Sequence, residues 1–269
     1  IHLDLGSLGM IRTLFIIAGA ALVLCLVTVG GALAIGGHDL QRHGWAWTIK
    51  DQDGETIRFE RVKGGGTDDL GPLTTRTLPW TGGETLTVDS SIDVDYVQGD
   101  ANTVVITGPK GLTDRVRLVD GRLDLGDGDE RVVFGWSNGN FSARSERDEL
   151  KVVITAPKVN RFNAKGSGDL QITGYDQPSL TVDIAGSAEV TASGRTDELK
   201  LDIAGSGDAS LGDLATRDAW VDIAGSGDAR IAPTGDVKVA IAGSGDVALA
   251  TRPANLNSTV SGSGDVYQD

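Results

Sequence analysis

From Glu84 onward, apolar and polar residues alternate in short runs: Leu86/Val88, Ile92/Val94/Tyr96, Val104/Ile106, Val116/Leu118, Leu123/Leu125 and Val152/Ile154. A period of two sends alternate side chains to opposite faces, so each run is a predicted strand. Gln98-Gly99-Asp100 and Gly108-Pro109 supply turn formers between them. No helical period survives after Gly37. Residues 126–147 are polar and glycine-rich around Val132-Val133-Phe134, and they are expected to form a protruding loop or irregular coil. Upstream, Trp45-Ala46-Trp47-Thr48-Ile49 and Thr56–Val62 alternate on either side of Asp51-Gln52-Asp53-Gly54, which predicts a hairpin. Its Trp45 and Trp47 suit either hairpin packing or a membrane interface. Gly64-Gly65-Gly66 then reads as a flexible linker.

Beyond Lys165 the pattern becomes periodic. Gly166-Ser167-Gly168-Asp169 recurs as Gly186-Ser187-Ala188-Glu189, Gly205-Ser206-Gly207-Asp208, Gly225-Ser226-Gly227-Asp228, Gly243-Ser244-Gly245-Asp246 and Gly262-Ser263-Gly264-Asp265, at steps of 20, 19, 20, 18 and 19 residues. A fixed period of this length predicts a solenoid, whose coils bury their apolar faces only by stacking. Aligned on the first glycine, Ile184, Ile203, Ile223, Ile241 and Val260 fall in one column, and Leu170, Val190, Ala209, Ala229, Val247 and Val266 in another. Asp183, Asp202 and Asp222 alternate with the apolar columns and are expected to face water. Each coil is thus read as a strand, a corner and a second strand, in an all-β solenoid of about 19-residue coils.

Stacking at about 4.8 Å brings the corner acids into a ladder, and neighbouring carboxylates then repel by about 3.5 kcal/mol at an effective dielectric near 20. Two arrangements offset this. Local backbone N–H groups can cap each acid, or Ca²⁺ can bind the oxygens of Asp208, Asp228, Asp246 and Asp265. The repeat lacks the nine-residue spacing of Ca²⁺-binding β-rolls, which weighs toward capping. The Ala188-Glu189 variant marks a relaxed corner.

The N-terminal part is different in kind. Thr13–Gly37 holds no charged residue, long enough for a membrane-spanning helix, and Arg12 before it places the N-terminus in the cytoplasm. Met10 is the only methionine and suggests a start there. Ala32-Leu33-Ala34 resembles a signal-peptidase site, so release into the periplasm is the alternative to an uncleaved anchor. Cys25 lies within this run without the small preceding residue of a lipoprotein box, and its expected role is apolar packing. With one cysteine, Cys25, and with His2, His38 and His43 all before residue 44, the repeats have no His or Cys, which removes most zinc sites, cysteine nucleophiles and Ser-His-Asp arrangements from them. The net charge of −14 argues against nucleic acid as a partner.

The Gly-Ser-Gly-Asp corners, with Ser91-Ile92-Asp93-Val94-Asp95-Tyr96, Gln98-Gly99-Asp100 and Val153-Ile154-Thr155-Ala156-Pro157, resemble the "putative auto-transporter adhesin, head GIN domain" family over about residues 77–269. The resemblance implies a right-handed parallel β-helix on exported bacterial envelope proteins. One feature departs from an autotransporter: nothing here is similar to a translocating outer-membrane barrel. The expected organisation is an extension and transmembrane or signal segment at 1–37, a juxtamembrane hairpin and linker at 38–76, and the head at 77–269.

Three functions compete. The first is a non-enzymatic, membrane-anchored module that binds an envelope polymer or protein along its flank, in the periplasm or extracytoplasmic space. Trp220, in the column of Thr181, Lys200 and Lys238, is its candidate ligand contact, the alternative being that the indole covers the lysine stems. A polysaccharide-cleaving enzyme needs one differentiated carboxylate pair, which near-identical corners do not offer. Self-assembly would use the C-terminal coil as an uncovered edge, the alternative being that the polar run Asn257-Ser258-Thr259 caps it.

Overall fold

The computed structural model describes residues 46–50, 56–61, 72–128, 130–137 and 140–269. The apolar segment expected to span the membrane, Cys25, Trp45 and the triple-glycine linker lie outside the described residues. The chain divides into two compact units, one containing residues 1–65 and 131–143 and the other residues 66–130 and 144–269.

In the first unit the expected hairpin is present. Strands β1 (Ala46–Lys50) and β2 (Thr56–Arg61) pair antiparallel with Ala46 opposite Glu60 and Lys50 opposite Thr56. The predicted loop at 126–147 is instead largely extended: β9 (Glu130–Ser137) and β10 (Asn140–Ser145) complete a four-stranded sheet ordered β1-β2-β9-β10. Residues 131–143, expected within the head, thus join the hairpin. Local composition concealed this, because β9 and β10 gain their partners from a segment some 70 residues away in sequence; Arg131 and Glu60, for example, meet at 2.7 Å.

The second unit is a solenoid. Strands β4 (Thr85–Val88) and β12 (Arg161–Gly166), the long winding strands β13 (Leu170–Gly186), β14 (Glu189–Gly205) and β15 (Asp208–Gly225), and β17 (Asp236–Gly243) and β19 (Asn255–Gly262) stack in parallel along one face. The stretches after the corners form a second face, continued by β5 (Asp93–Gln98) at one end and by β16 (Ala229–Pro233), β18 (Val247–Leu249) and β20 (Val266–Gln268) at the other. Within β13, β14 and β15 the register shifts after Ile172, Thr191 and Leu211, and a third stretch follows, pairing Gln177 with Thr196 and Thr196 with Thr216. A coil therefore has three sides where the sequence suggested two. Gly174 turns this extra corner with φ +68°, but no common motif marks it from coil to coil.

The Gly-Ser-Gly-Asp corners stack through hydrogen bonds that recur from coil to coil. The amides of Ser187, Ser206, Ser226, Ser244 and Ser263 each donate at 2.9 Å to the first-glycine carbonyl of the preceding coil. Those first glycines have φ from +115° at Gly186 to +149° at Gly243, and a β-carbon at Gly186 would stand 2.6 Å from the Gly166 oxygen. Asp208, Asp228 and Asp246 are capped by the following coil and not locally. Asp228, Asp246 and Asp265 donate their amides to Oδ1 of Asp208, Asp228 and Asp246, each at 2.8 Å. Each acid thus accepts from the coil above, which turns a column of like charges into charge-assisted links between coils. Asp265, the last of the column, accepts from its own neighbour Val266 at 2.8 Å. The chain of links is interrupted at Ala188-Glu189, where the Asp208 amide reaches the Ala188 carbonyl at 3.0 Å instead. Asp228→Ala, which strands the Asp246 amide, is expected to cost about 1–2 kcal/mol, and Asp228→Asn, which keeps an acceptor, clearly less. Denaturant midpoints of the two variants measure the difference.

The corner also begins earlier than the motif shows. Val94 pairs with Leu170, so Ser90-Ser91-Ile92-Asp93 stacks directly beneath Gly166-Ser167-Gly168-Asp169. The hydroxyls of Ser91 and Ser167 meet at 2.7 Å, and Oδ1 of Asp93 accepts the Asp169 amide at 3.1 Å. Between this first coil and the next, the chain makes an excursion that covers the solenoid's N-terminal end. Strand β11 (Lys151–Ala156) runs parallel to β5 and antiparallel to β6 (Thr103–Pro109), which pairs with β3 (Leu73–Pro79). On the other face, β8 (Arg122–Leu125) pairs with β4 and with β7 (Val116–Val119). Among the described residues, an α-helical segment, α1 (Lys110–Arg115), and a short 3-10 turn at Glu146–Glu149 depart from the all-strand expectation. At six residues α1 is too short to leave a periodic signal, and it buries Leu112 against the capping strands.

Candidate functional site

The outward face of the stacked strands is the solenoid's most regular surface. Arg161, Thr181, Lys200, Trp220, Lys238 and Asn257 occupy one column, and Asn163, Asp183, Asp202, Asp222, Ala240 and Thr259 a parallel one two residues along. Alternation with the buried Val182, Leu201, Val221 and Val239 fixes both columns outward. The face is thus an array of side chains repeated at the coil spacing.

Charges along it are partly neutralised. Lys200 Nζ lies 2.5 Å from Asp202, and Arg161 lies 3.5 Å from Asp183. The hydrogen bond to Asp202, then its charge, raises the Lys200 pKa. Desolvation first, and then the hydrogen bond and charge of Asp202, lift the Asp183 carboxyl above its ordinary value of 3.8. The folded chain thus holds the Asp183 proton more tightly than the unfolded chain. This carboxylate opposes folding at neutral pH, and the penalty disappears as pH falls through its folded pKa toward 3.8. Asp183→Asn is expected to stabilise the protein at pH 7 by only about 0.5 kcal/mol, because the site is screened by solvent. The gain should vanish under acid conditions, as urea melts of both proteins across that range would show.

Trp220 interrupts the charged pattern. It is 40% exposed, and with Lys200, Asp202, Asp222, Lys238 and Asn257 it lines a shallow groove of about 290 Å³. Lys200 and Lys238 are its neighbours in the column, and a large part of the side chain is open to solvent. The sequence pointed to Trp220 and to the lysine column, but not to Asp222 and Asn257. Asp222 was read only as a solvent-facing residue, and Asn257, which stands five residues before Gly262 as Trp220 does before Gly225, was not singled out as a contact.

The proposed calcium ladder is spread along the corner. Asp208, Asp228 and Asp246 are committed through Oδ1 to the amides of the following coils, and among the described residues no group of three or more His, Cys, Asp or Glu side chains is arranged to hold a metal ion. A second concavity of about 390 Å³ near the first corner is lined by Asp93, Asp95, Asp148, Asp169 and Glu189 with Lys151. Burial, and then the charge of Asp93, raises the Asp169 pKa, while Lys151 pairs with Asp95 at 2.8 Å.

This corner-and-face architecture coincides with a family model: residues 84–253 match "putative auto-transporter adhesin, head GIN domain". The chain belongs to this family. The matched span opens at the first coil, includes the capping excursion and runs through β18, so the head GIN domain here is the solenoid with its N-terminal cap. A crystal structure of a protein described as a putative adhesin from Bacteroides fragilis shares this fold, with 16% identity and a TM-score of 0.51 over 74% of this chain and 97% of that one. A protein described as a putative lipid binding protein from Parabacteroides distasonis aligns at 18% identity and a TM-score of 0.45, over 78% of this chain and 100% of that one. A putative adhesin from Parabacteroides merdae aligns at 19% identity and a TM-score of 0.43, over 78% and 99%. No curated protein matches the chain.

Proposed function

We propose that this head GIN domain protein is a non-enzymatic cell-envelope module that adheres to a polymer or protein through the outward face of its solenoid. In this reading an N-terminal helix within residues 1–37 anchors it in the inner membrane, and the head, wound as a right-handed β-helix, stands in the periplasm or extracytoplasmic space. Signal cleavage with release to the periplasm is the alternative. The observation that carries the reading is the outward face itself. It presents repeated polar columns broken by one exposed aromatic ring, the extended kind of surface that solenoids offer to partners. Membership of a family described as adhesin heads supports it.

Self-assembly is a second reading, favoured by one specific observation. Leu256 and Val260, in register with the buried Val237 and Ile241, are 46% and 41% exposed, and β19 has no partner on its far side among the described residues. Such an edge can add a strand from another copy.

The test is a pull-down of the full chain in detergent against cell-wall sacculi, surface polysaccharides and solubilised envelope proteins, with and without Ca²⁺. Saturable retention by one fraction supports adhesion, and a calcium requirement would assign the Asp208–Asp265 ladder as a metal site. No retention, together with concentration-dependent sedimentation of the chain alone, would replace adhesion with self-assembly.

A further inference from the structure

Around Trp220, the side chains of Trp220, Asp222, Lys238 and Asn257 make no hydrogen bond or ion pair with any described residue. Elsewhere on the same face, the Arg161–Asp183 and Lys200–Asp202 pairs are closed. The groove therefore combines an open aromatic plane with a free ammonium, a free carboxylate, a free carboxamide and an unused indole N–H. Few ligand classes match that set. A polyanion meets a chain of net charge −14. An acyl chain needs a continuous apolar patch, yet the neighbouring positions in the parallel column are Asp202, Asp222, Ala240 and Thr259. A sugar ring has the complementary form: one face of C–H groups, which stacks on an aromatic plane, rimmed by hydroxyls that both donate and accept.

We propose that Trp220, Asp222, Lys238 and Asn257 form a binding subsite for a neutral, β-linked glycan whose chain runs along the solenoid axis. The proposal rests on the adhesive reading of this face and specifies its ligand. One pyranose ring stacks on Trp220, Asp222 accepts from its hydroxyls, and Lys238 donates to them. Successive coils are about 4.8 Å apart, close to the advance per ring of an extended β-1,4-linked chain, so the next sugars lie over Lys238 and then Asn257. In the other direction, the Lys200–Asp202 pair closes the subsite.

The test is calorimetric titration of the full chain in detergent with β-1,4-linked tetrasaccharides of glucose and of N-acetylglucosamine, with polygalacturonate as the anionic comparison. Saturable binding of a neutral tetrasaccharide but not of polygalacturonate is expected. Trp220→Ala should weaken it at least 10-fold, Trp220→Tyr should restore most of the affinity, and Asp222→Asn or Lys238→Met should weaken it several-fold. Thermal midpoints report that each variant is folded, since all of these side chains are on the surface. Absence of neutral-glycan binding, or Trp220→Ala binding as well as the parent chain, overturns the subsite. If envelope fractions still retain the parent and Trp220→Ala chains equally, adhesion stands and only the glycan subsite falls. If no fraction retains the parent chain, the adhesive reading falls with it.

Discussion

Gly243→Ala is expected to destabilise the solenoid by about 4 kcal/mol, the sum of a backbone forced from positive φ and an overlap that cannot relax. Gly243 has φ +149°, and a β-carbon there would run into the Gly225 carbonyl oxygen. That oxygen accepts the Ser244 amide at 2.9 Å, so moving it away breaks the bond that holds the two coils in register. For a chain of this size the thermal midpoint should fall by roughly 10 °C. Because stability in a solenoid is carried by interfaces between neighbours, the coils beyond Gly243 should loosen first, with hydrogen exchange in β19 and β20 accelerating more than in β13. Two other glycines separate the causes. At Gly174, with φ +68°, a β-carbon meets nothing within 4 Å, so alanine there incurs only backbone strain. At Gly111 nothing lies within 4 Å either, and the residue sits in α1; alanine should be neutral or stabilising by up to about 1 kcal/mol. A Gly243→Ala midpoint within a degree or so of the Gly111→Ala midpoint would show that the corner does not hold the coils as described.

Phe162→Ala is expected to lose about 3–5 kcal/mol, the range for removing a fully buried aromatic ring. Phe162 lies on β12, which joins β4 to β13, and it packs edge-on between two tyrosines, with ring centroids 4.9 Å from Tyr96 and 6.4 Å from Tyr175. This three-ring core binds the first coil to the repeats across the excursion. The flanking rings cannot collapse into the void. The Tyr96 hydroxyl donates to the Ala156 carbonyl at 2.7 Å, and the Tyr175 hydroxyl to Ser179 at 2.5 Å. Phe162→Leu refills most of the volume and should cost less, about 1–2 kcal/mol. Equilibrium denaturation of both variants gives the comparison; equal midpoints for Phe162→Ala and Phe162→Leu would mean that the site repacks and the core is not rigid there.

The same core gives the protein an alkaline limit. Burial pushes the Tyr96 pKa up to about 12 and raises that of Tyr175 as well. The unfolded chain releases its phenolic protons near the ordinary value of 10, before the folded chain does. Stability contributed by these groups is therefore intact at neutral pH and declines as pH rises from about 10 toward 12.

Much of this architecture was legible in the chain. The Gly-Ser-Gly-Asp period dictated a solenoid, since a β-carbon is excluded wherever one corner stacks directly on another. The alternation of Ile184, Ile203, Ile223 and Ile241 with acids and lysines fixed which residues are buried, because the strand period is two. Trp220 stood out because its column is otherwise Thr181, Lys200 and Lys238. Each of these features is local, or recurs at constant spacing, and so leaves a mark in one dimension.

Tertiary structure alone decided the rest. Ser90-Ser91-Ile92-Asp93 is a corner by position and not by composition; its partner Gly166-Ser167-Gly168-Asp169 lies 76 residues away, across the capping excursion. Strands β9 and β10 exist because β2 offers them an edge, not because their own sequence demands extension. The corner aspartates were legible as acids in need of partners, but the partner is the amide of the next coil, which only stacking brings to 2.8 Å. Likewise, repeat alignment sets the columns of Trp220, Lys238 and Asn257 and of Asp222, but only the stacked strands β15, β17 and β19 shape them into one groove. Sequence periodicity specifies what a coil looks like and which way its side chains point; which atoms meet between coils depends on register and corner geometry, which exist only once the coils are stacked.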